Sequence, residues 1–165
     1  NGTYYFFIAS GYDYHHPKYA RQYTINVASS KNGIHFKQLA ADILTPGPEG
    51  SWESQSVCQA AVRKVDDWWY MIYSGFPKGP SKSAQAFGLA RARRPEGPWE
   101  KYPGNPIFTA TGNKDDWDCK FVQHACPVKV DGDWCLYYAG HNGNKYQIGM
   151  ATRAKTETDC KKRQK

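Results

Sequence analysis

The sequence predicts an all-β chain made of β-propeller blades, each of four antiparallel strands, with about two and a half blades present in its 165 residues. Three observations predict it. First, a strand-like phrase recurs as NGTYYFFIASG from Asn1, VDDWWYMIYSG from Val65 and VDGDWCLYYAG from Val130. Its closing glycines, Gly11, Gly75 and Gly140, lie 64 and 65 residues apart. A repeat of this length made of short aromatic strands implies units that bury their apolar faces only against neighbours. Second, residues 52–75 lie over residues 117–140 without a gap: Trp52-Glu53 on Trp117-Asp118, Val57 on Val122, Lys64-Val65-Asp66 on Lys129-Val130-Asp131. Third, helix signals are almost absent, while 15 Gly and 10 Pro supply many turns.

The elements follow in order within each unit. SVCQAAVRKV after Trp52-Glu53 and FVQHACPVKV after Trp117-Asp118 have the length and apolar content of a first strand. Asp66-Asp67 and Asp131-Gly132 are tight polar turns, the signature of a hairpin. The returning strand is apolar on both faces, with Trp69, Met71 and Tyr73 on one and Trp68, Tyr70 and Ile72 on the other. A strand buried on both sides is what stacked sheets require. A loop of variable length leads to a third strand at residues 25–28, 87–90 and 148–151. A fourth is expected around 33–36 and 97–100. The first unit lacks its innermost strand and the last its outermost. The propeller region is 1–154, with units starting near 1, 65 and 130, and 155–165 reads as a basic, disordered tail.

Composition excludes several classes. No stretch approaches the roughly 20 apolar residues of a membrane span, and no signal peptide is visible, so no membrane partner and no compartment is assigned. The net charge of +7 has no nucleic-acid motif beside it, and the tail supplies +3 of it, so nucleic acid is not an expected partner. The five Cys (58, 119, 126, 135 and 160) lack paired spacing, which argues for reduced, mostly buried thiols and against zinc. No metal ligand set is assigned, His15-His16 included, and no cofactor is expected.

VDDWWYMIYSG, FGLARARRPEGPWEKYPGNPIF and CPVKVDGDWCLYYAGHNGNKYQIGMATR resemble the five-bladed propellers of the arabinanase, levansucrase and invertase type, among them glycoside hydrolase families 32, 43, 68 and 130. The resemblance runs to about Arg153 and implies a partial five-bladed propeller that hydrolyses or binds a carbohydrate at its centre. It also implies carboxyl groups near the start of the innermost strands, one to protonate the leaving oxygen and one to attack or activate water. Seven residues before the turn aspartates, however, stand Gln59 and His124. Glu53 and Asp118, 13 residues before the turns, are the candidate catalytic acids, with a turn-capping structural role as the alternative. Gln59, His124, Tyr12, Asp13, Trp52 and Trp117 are the candidate substrate contacts. In such propellers a channel histidine can also support an ion such as calcium. A non-catalytic sugar-binding module that kept the fold and lost the carboxylates is the competing reading. About half a ring is missing, which leaves a homo-oligomer or the remainder of a larger propeller as partner.

Overall fold

A computed structural model describes residues 2–11, 22–78 and 85–152. All regular structure among these residues is β, and none of it is a helix long and apolar enough to cross a membrane. Three antiparallel sheets form successive blades. Blade 1 has the order β1 (Tyr4–Gly11), β2 (Tyr23–Ser30), β3 (Lys37–Leu44). Blade 2 is complete, with β4 (Ser56–Val65), β5 (Trp68–Phe76), β6 (Ala86–Ala92) and the short β7 (Glu100–Lys101). Blade 3 comprises β8 (Phe121–Val130), β9 (Asp133–His141) and β10 (Tyr146–Thr152). As the repeat implied, blade 1 begins at its second strand, and no fourth strand follows β10 among the described residues.

The blades are joined by two apolar layers. Between blades 1 and 2, Ile25, Leu44, Val57, Met71, Tyr73 and Ala90 are buried, with Phe7, Trp52 and Trp99 packed against them. Between blades 2 and 3, Phe87, Val122, Ala125 and Tyr138 are buried, with Ile72, Phe108, Trp117 and Leu136 around them. Both faces of β5 are thus used, Met71 and Tyr73 towards blade 1 and Ile72 towards blade 3. The two ends of the arc have no neighbour among the described residues. Tyr4 and Phe6 on β1 are 55% and 54% exposed, and Ile148 and Met150 on β10 are 83% and 54% exposed.

Two local details differ from expectation. The outer strand of blade 1 is 37–44 rather than 33–36. Residues 31–35 form a bend instead, because side chains satisfy the backbone there: Ser30 Oγ accepts the N–H groups of Asn32 and Gly33, and Asn32 Oδ1 those of Ile34 and His35. In blade 2 the strand is only Glu100–Lys101, since Trp99 turns inward to meet Phe7 edge-on at 6.0 Å.

The first phrase is also offset by one residue in space. Tyr5 and Phe7 face blade 2, Tyr5 meeting Trp69 edge-on at 5.2 Å, just as Tyr70 and Ile72 face blade 3. Phe7 therefore corresponds to Ile72, and Gly11 is not the structural counterpart of Gly75. The glycines agree: a Cβ on Gly75 or Gly140 would strike the indole of Trp52 or Trp117 at 2.4 and 2.5 Å, whereas one on Gly11 would meet Tyr23 and Gln22.

Candidate functional site

The innermost strands β4 and β8 lie side by side, and each carries one irregularity at the same place. Ladder pairing with the next strand breaks between Cys58 and Ala61 in β4 and between Gln123 and Cys126 in β8. Gln59 and His124 occupy these bulges with φ of 53° and 58°, the left-handed region that side chains of this size seldom adopt. A bulge re-aims a side chain out of the alternating pattern. Backbone strain of this kind costs about 1–3 kcal/mol and persists only where its surroundings over-determine it.

The surroundings here do so. Gln59 Oε1 accepts the backbone N–H of His124 at 3.2 Å, the Ser74 hydroxyl at 2.8 Å and Gln85 Nε2 at 3.0 Å. Ser74 and Gln85 are themselves buried. A backbone N–H can only donate, so the Gln59 amide cannot be turned over, and its Nε2 faces His124 Nε2 at 3.4 Å. Nε2 of Gln59 is a donor, so a neutral imidazole that bonds to it accepts through Nε2 and carries its own N–H on Nδ1. Nδ1 has no partner among the described residues, and His124 is exposed, so that nitrogen is open to a ligand.

Glu53 and Asp118 are placed elsewhere, just before β4 and β8, and both are buried. Lys101 Nζ lies 2.6 Å from Glu53 Oε1 and 2.7 Å from the Thr45 carbonyl oxygen. The Tyr138 hydroxyl donates to Asp118 Oδ2 at 2.8 Å. Trp52 and Trp117 pack on Tyr73 and Tyr138, with ring centroids 6.0 and 5.5 Å apart. The structure thus brings Gln59 and His124 together, and gathers each Trp-acid pair around its own blade's tyrosine. Tyr12, Asp13, His15 and His16 lie outside the described residues. Among the described residues no three His, Cys, Asp or Glu side chains gather as a metal-binding group. Cys58, Cys119 and Cys135 are buried free thiols and Cys126 is exposed. Ser74 and Gln85 were missed from sequence, although a serine inside the otherwise apolar WWYMIYSG was a signal for Ser74.

Burial perturbs three groups. It pushes the Cys58 thiol from 9.0 up to about 12. It also holds the phenols of Tyr73 and Tyr138 well above their usual 10.0, helped by Glu53 and by Asp118 respectively. The folded chain therefore keeps protons that the unfolded chain releases from pH 9.0 to 10.0 upward. Their contribution to stability is complete below that range and is lost progressively from there upward, until pH passes the raised folded values, about 12 for Cys58. Chemical denaturation should show a lower midpoint at about pH 10.5 than at about pH 8, and Cys58→Ala should flatten part of that slope.

A model of the glycosyl hydrolases family 43 matches residues 59–157, from Gln59 at the bulge through the whole of blade 3. The chain belongs to glycosyl hydrolases family 43. Solved structures share its fold at low identity. A family 117 glycoside hydrolase from the marine bacterium Zobellia galactanivorans superposes with a TM-score of 0.72 at 22% identity, over 91% of this chain and 48% of that one. An endo-1,4-beta-xylanase from Bacteroides thetaiotaomicron gives 0.63 at 21%, over 95% and 52%. A sucrose-6-phosphate hydrolase from Lactobacillus gasseri gives 0.66 at 10%, over 96% and 31%. The family 43 chain thus spans about half or less of these relatives' length. Its blades are those of a five-bladed glycoside hydrolase propeller.

Proposed function

We propose that this family 43 chain forms part of the inner wall of a carbohydrate-active propeller and contacts a glycan there through Gln59 and His124. The observation that carries the reading is the Gln59–His124 pair, set on two strained bulges at neighbouring inner strands and oriented by buried Ser74 and Gln85. A sugar hydroxyl both donates and accepts, and an oriented imidazole N–H beside an exposed strand edge suits it. In this reading Glu53 and Asp118 belong to the scaffold, because both lie below the surface and each has one carboxylate oxygen on an internal partner, Lys101 or Tyr138. Hydrolysis needs two carboxyl groups flanking the glycosidic bond. In this reading they come from blades other than these, which stack on the exposed faces of β1 and β10.

Titration of an oligosaccharide panel by calorimetry tests it. His124→Ala and Gln59→Ala should each weaken binding by about tenfold, the loss of one or two hydrogen bonds to a polar ligand, with the melting temperature nearly unchanged for His124→Ala. Glu53→Gln should lower the melting temperature. Turnover abolished by Glu53→Gln at an unchanged melting temperature would make Glu53 catalytic and end this assignment.

A further inference from the structure

Between blades 2 and 3 runs an apolar cleft of about 600 Å³, walled by Tyr70, Ile72 and Leu89 on one side and Pro127, Leu136 and Ala151 on the other. Sites for small molecules have this size and this mostly apolar lining. Its neighbour in the repeat shows what shape it suits. At the corresponding place between blades 1 and 2 an indole, Trp99, packs in the layer that holds Phe7, Val62, Met71 and Ala90. Val62 and Met71 correspond to Pro127 and Leu136 at the 65-residue step. Met71 pairs with Ala90 as Leu136 pairs with Ala151, and Phe7 corresponds to Ile72, as its orientation showed. The four positions that surround a flat bicyclic ring at one junction therefore wall the cleft at the next.

Charge decides what kind of ring the cleft takes. Arg63 lines it, and on the ladder Arg63 stands opposite Tyr70, which stands opposite Arg91. Directly paired residues share a face, so this row sets an arginine on either side of an aromatic wall residue. Lys129 likewise stands opposite Trp134, which lines the cleft from blade 3. Glu100 takes Arg91 at 3.0 Å, but no carboxylate lies within salt-bridge distance of Arg63 or Lys129 among the described residues. Arg63 gives Nη1 to the Val62 carbonyl at 2.9 Å and keeps the rest of its fork. We propose that the cleft binds a planar aromatic carboxylate, with its ring between Ile72 and Leu136 and its carboxylate on Arg63. A guanidinium takes a carboxylate through two parallel hydrogen bonds, which fixes orientation as a lysine ammonium does not. Burial of the ring supplies the affinity, and the arginine selects for the anion. Gln59 and His124 are not in the lining, so this site does not rest on the glycan reading.

Calorimetric titration of the full chain with 2-naphthoate tests it, with 2-naphthamide as the uncharged isostere and decahydro-2-naphthoate as the puckered one. 2-Naphthoate should bind about tenfold more tightly than the amide, the scale of a hydrogen bond to a charged group, and more tightly than the puckered acid. Arg63→Gln, an exposed position, should weaken 2-naphthoate about tenfold and leave the amide unchanged. Lys64→Gln removes the same charge one residue away. Lys64 stands opposite Trp69 on the face towards blade 1, so this variant should bind as the wild type does. His124→Ala should bind 2-naphthoate unchanged too, which keeps this result apart from the glycan titration. Leu136→Trp, shown folded by its melting transition, should lose uptake because the indole fills the slot. Equal affinity for 2-naphthoate and either isostere, equal loss from Arg63→Gln and Lys64→Gln, or undiminished uptake by Leu136→Trp overturns the proposal. No uptake by the wild-type chain overturns it as well, since the cleft is then covered by another part of the chain or by a second copy.

Discussion

Lys101→Ala should destabilise the protein by about 3 kcal/mol, the range expected when one partner of a buried ion pair is removed. Glu53 is held below the surface, and its Oε1 takes its hydrogen bond from Lys101 at 2.6 Å. Without the ammonium the carboxylate is a buried charge beside the Tyr73 phenol and the Trp52 ring. Lys101 also ties Thr45, at the end of blade 1, to blade 2, so its loss loosens the junction between sheets. Denaturant titration measures the effect. The double variant Glu53→Gln with Lys101→Met should recover most of the loss, because it removes both charges together. A single variant that unfolds at the wild-type midpoint would show that the pair is not a strut, and Glu53 would return as a candidate for chemistry.

Gly75→Ala and Gly140→Ala should each cost about 2–3 kcal/mol, the scale of overpacking a filled core. The Cβ at Gly75 would sit 2.4 Å from the Trp52 ring and 2.8 Å from Glu53 Cβ; at Gly140 it would sit 2.5 Å from both Trp117 and Asp118. Neither indole can retreat, since each is backed by Tyr73 or Tyr138. Gly132→Ala is a useful contrast. Its Cβ would meet nothing, but its φ of +87° penalises any side chain, so its cost comes from the backbone alone. Melting temperatures of the three variants separate packing from conformation: Gly75→Ala should be partly rescued by trimming Trp52 to Leu, and Gly132→Ala should not.

The two predictions bear on what could be read without coordinates. The Trp-acid pair and the closing glycine recur at one spacing because they are one device: the loop before each inner strand lays its indole on the glycine of the next strand and its carboxylate under the same blade's tyrosine. Sequence showed the recurrence and left its purpose open between chemistry and scaffold. Gln59 and His124 were found by counting back from the turns. Their partners Ser74 and Gln85 were not, since a hydrogen bond between residues 15 or 26 apart leaves no periodic trace. The outer strands were misplaced by a few residues because they are short and set by side-chain turns and one inward tryptophan, which local propensity does not register.

By itself the sequence determined the all-β class, the repeat and the likeness to five-bladed glycoside hydrolase propellers, because alternating apolar strands at a fixed period can be buried only by stacking against their own kind. Only the tertiary structure decided that Glu53 meets Lys101, that Asp118 meets Tyr138, and that Gln59 Oε1 accepts the backbone N–H of His124. Those outcomes depend on contacts between residues distant in the chain, and distance in sequence carries no record of which side chains will meet.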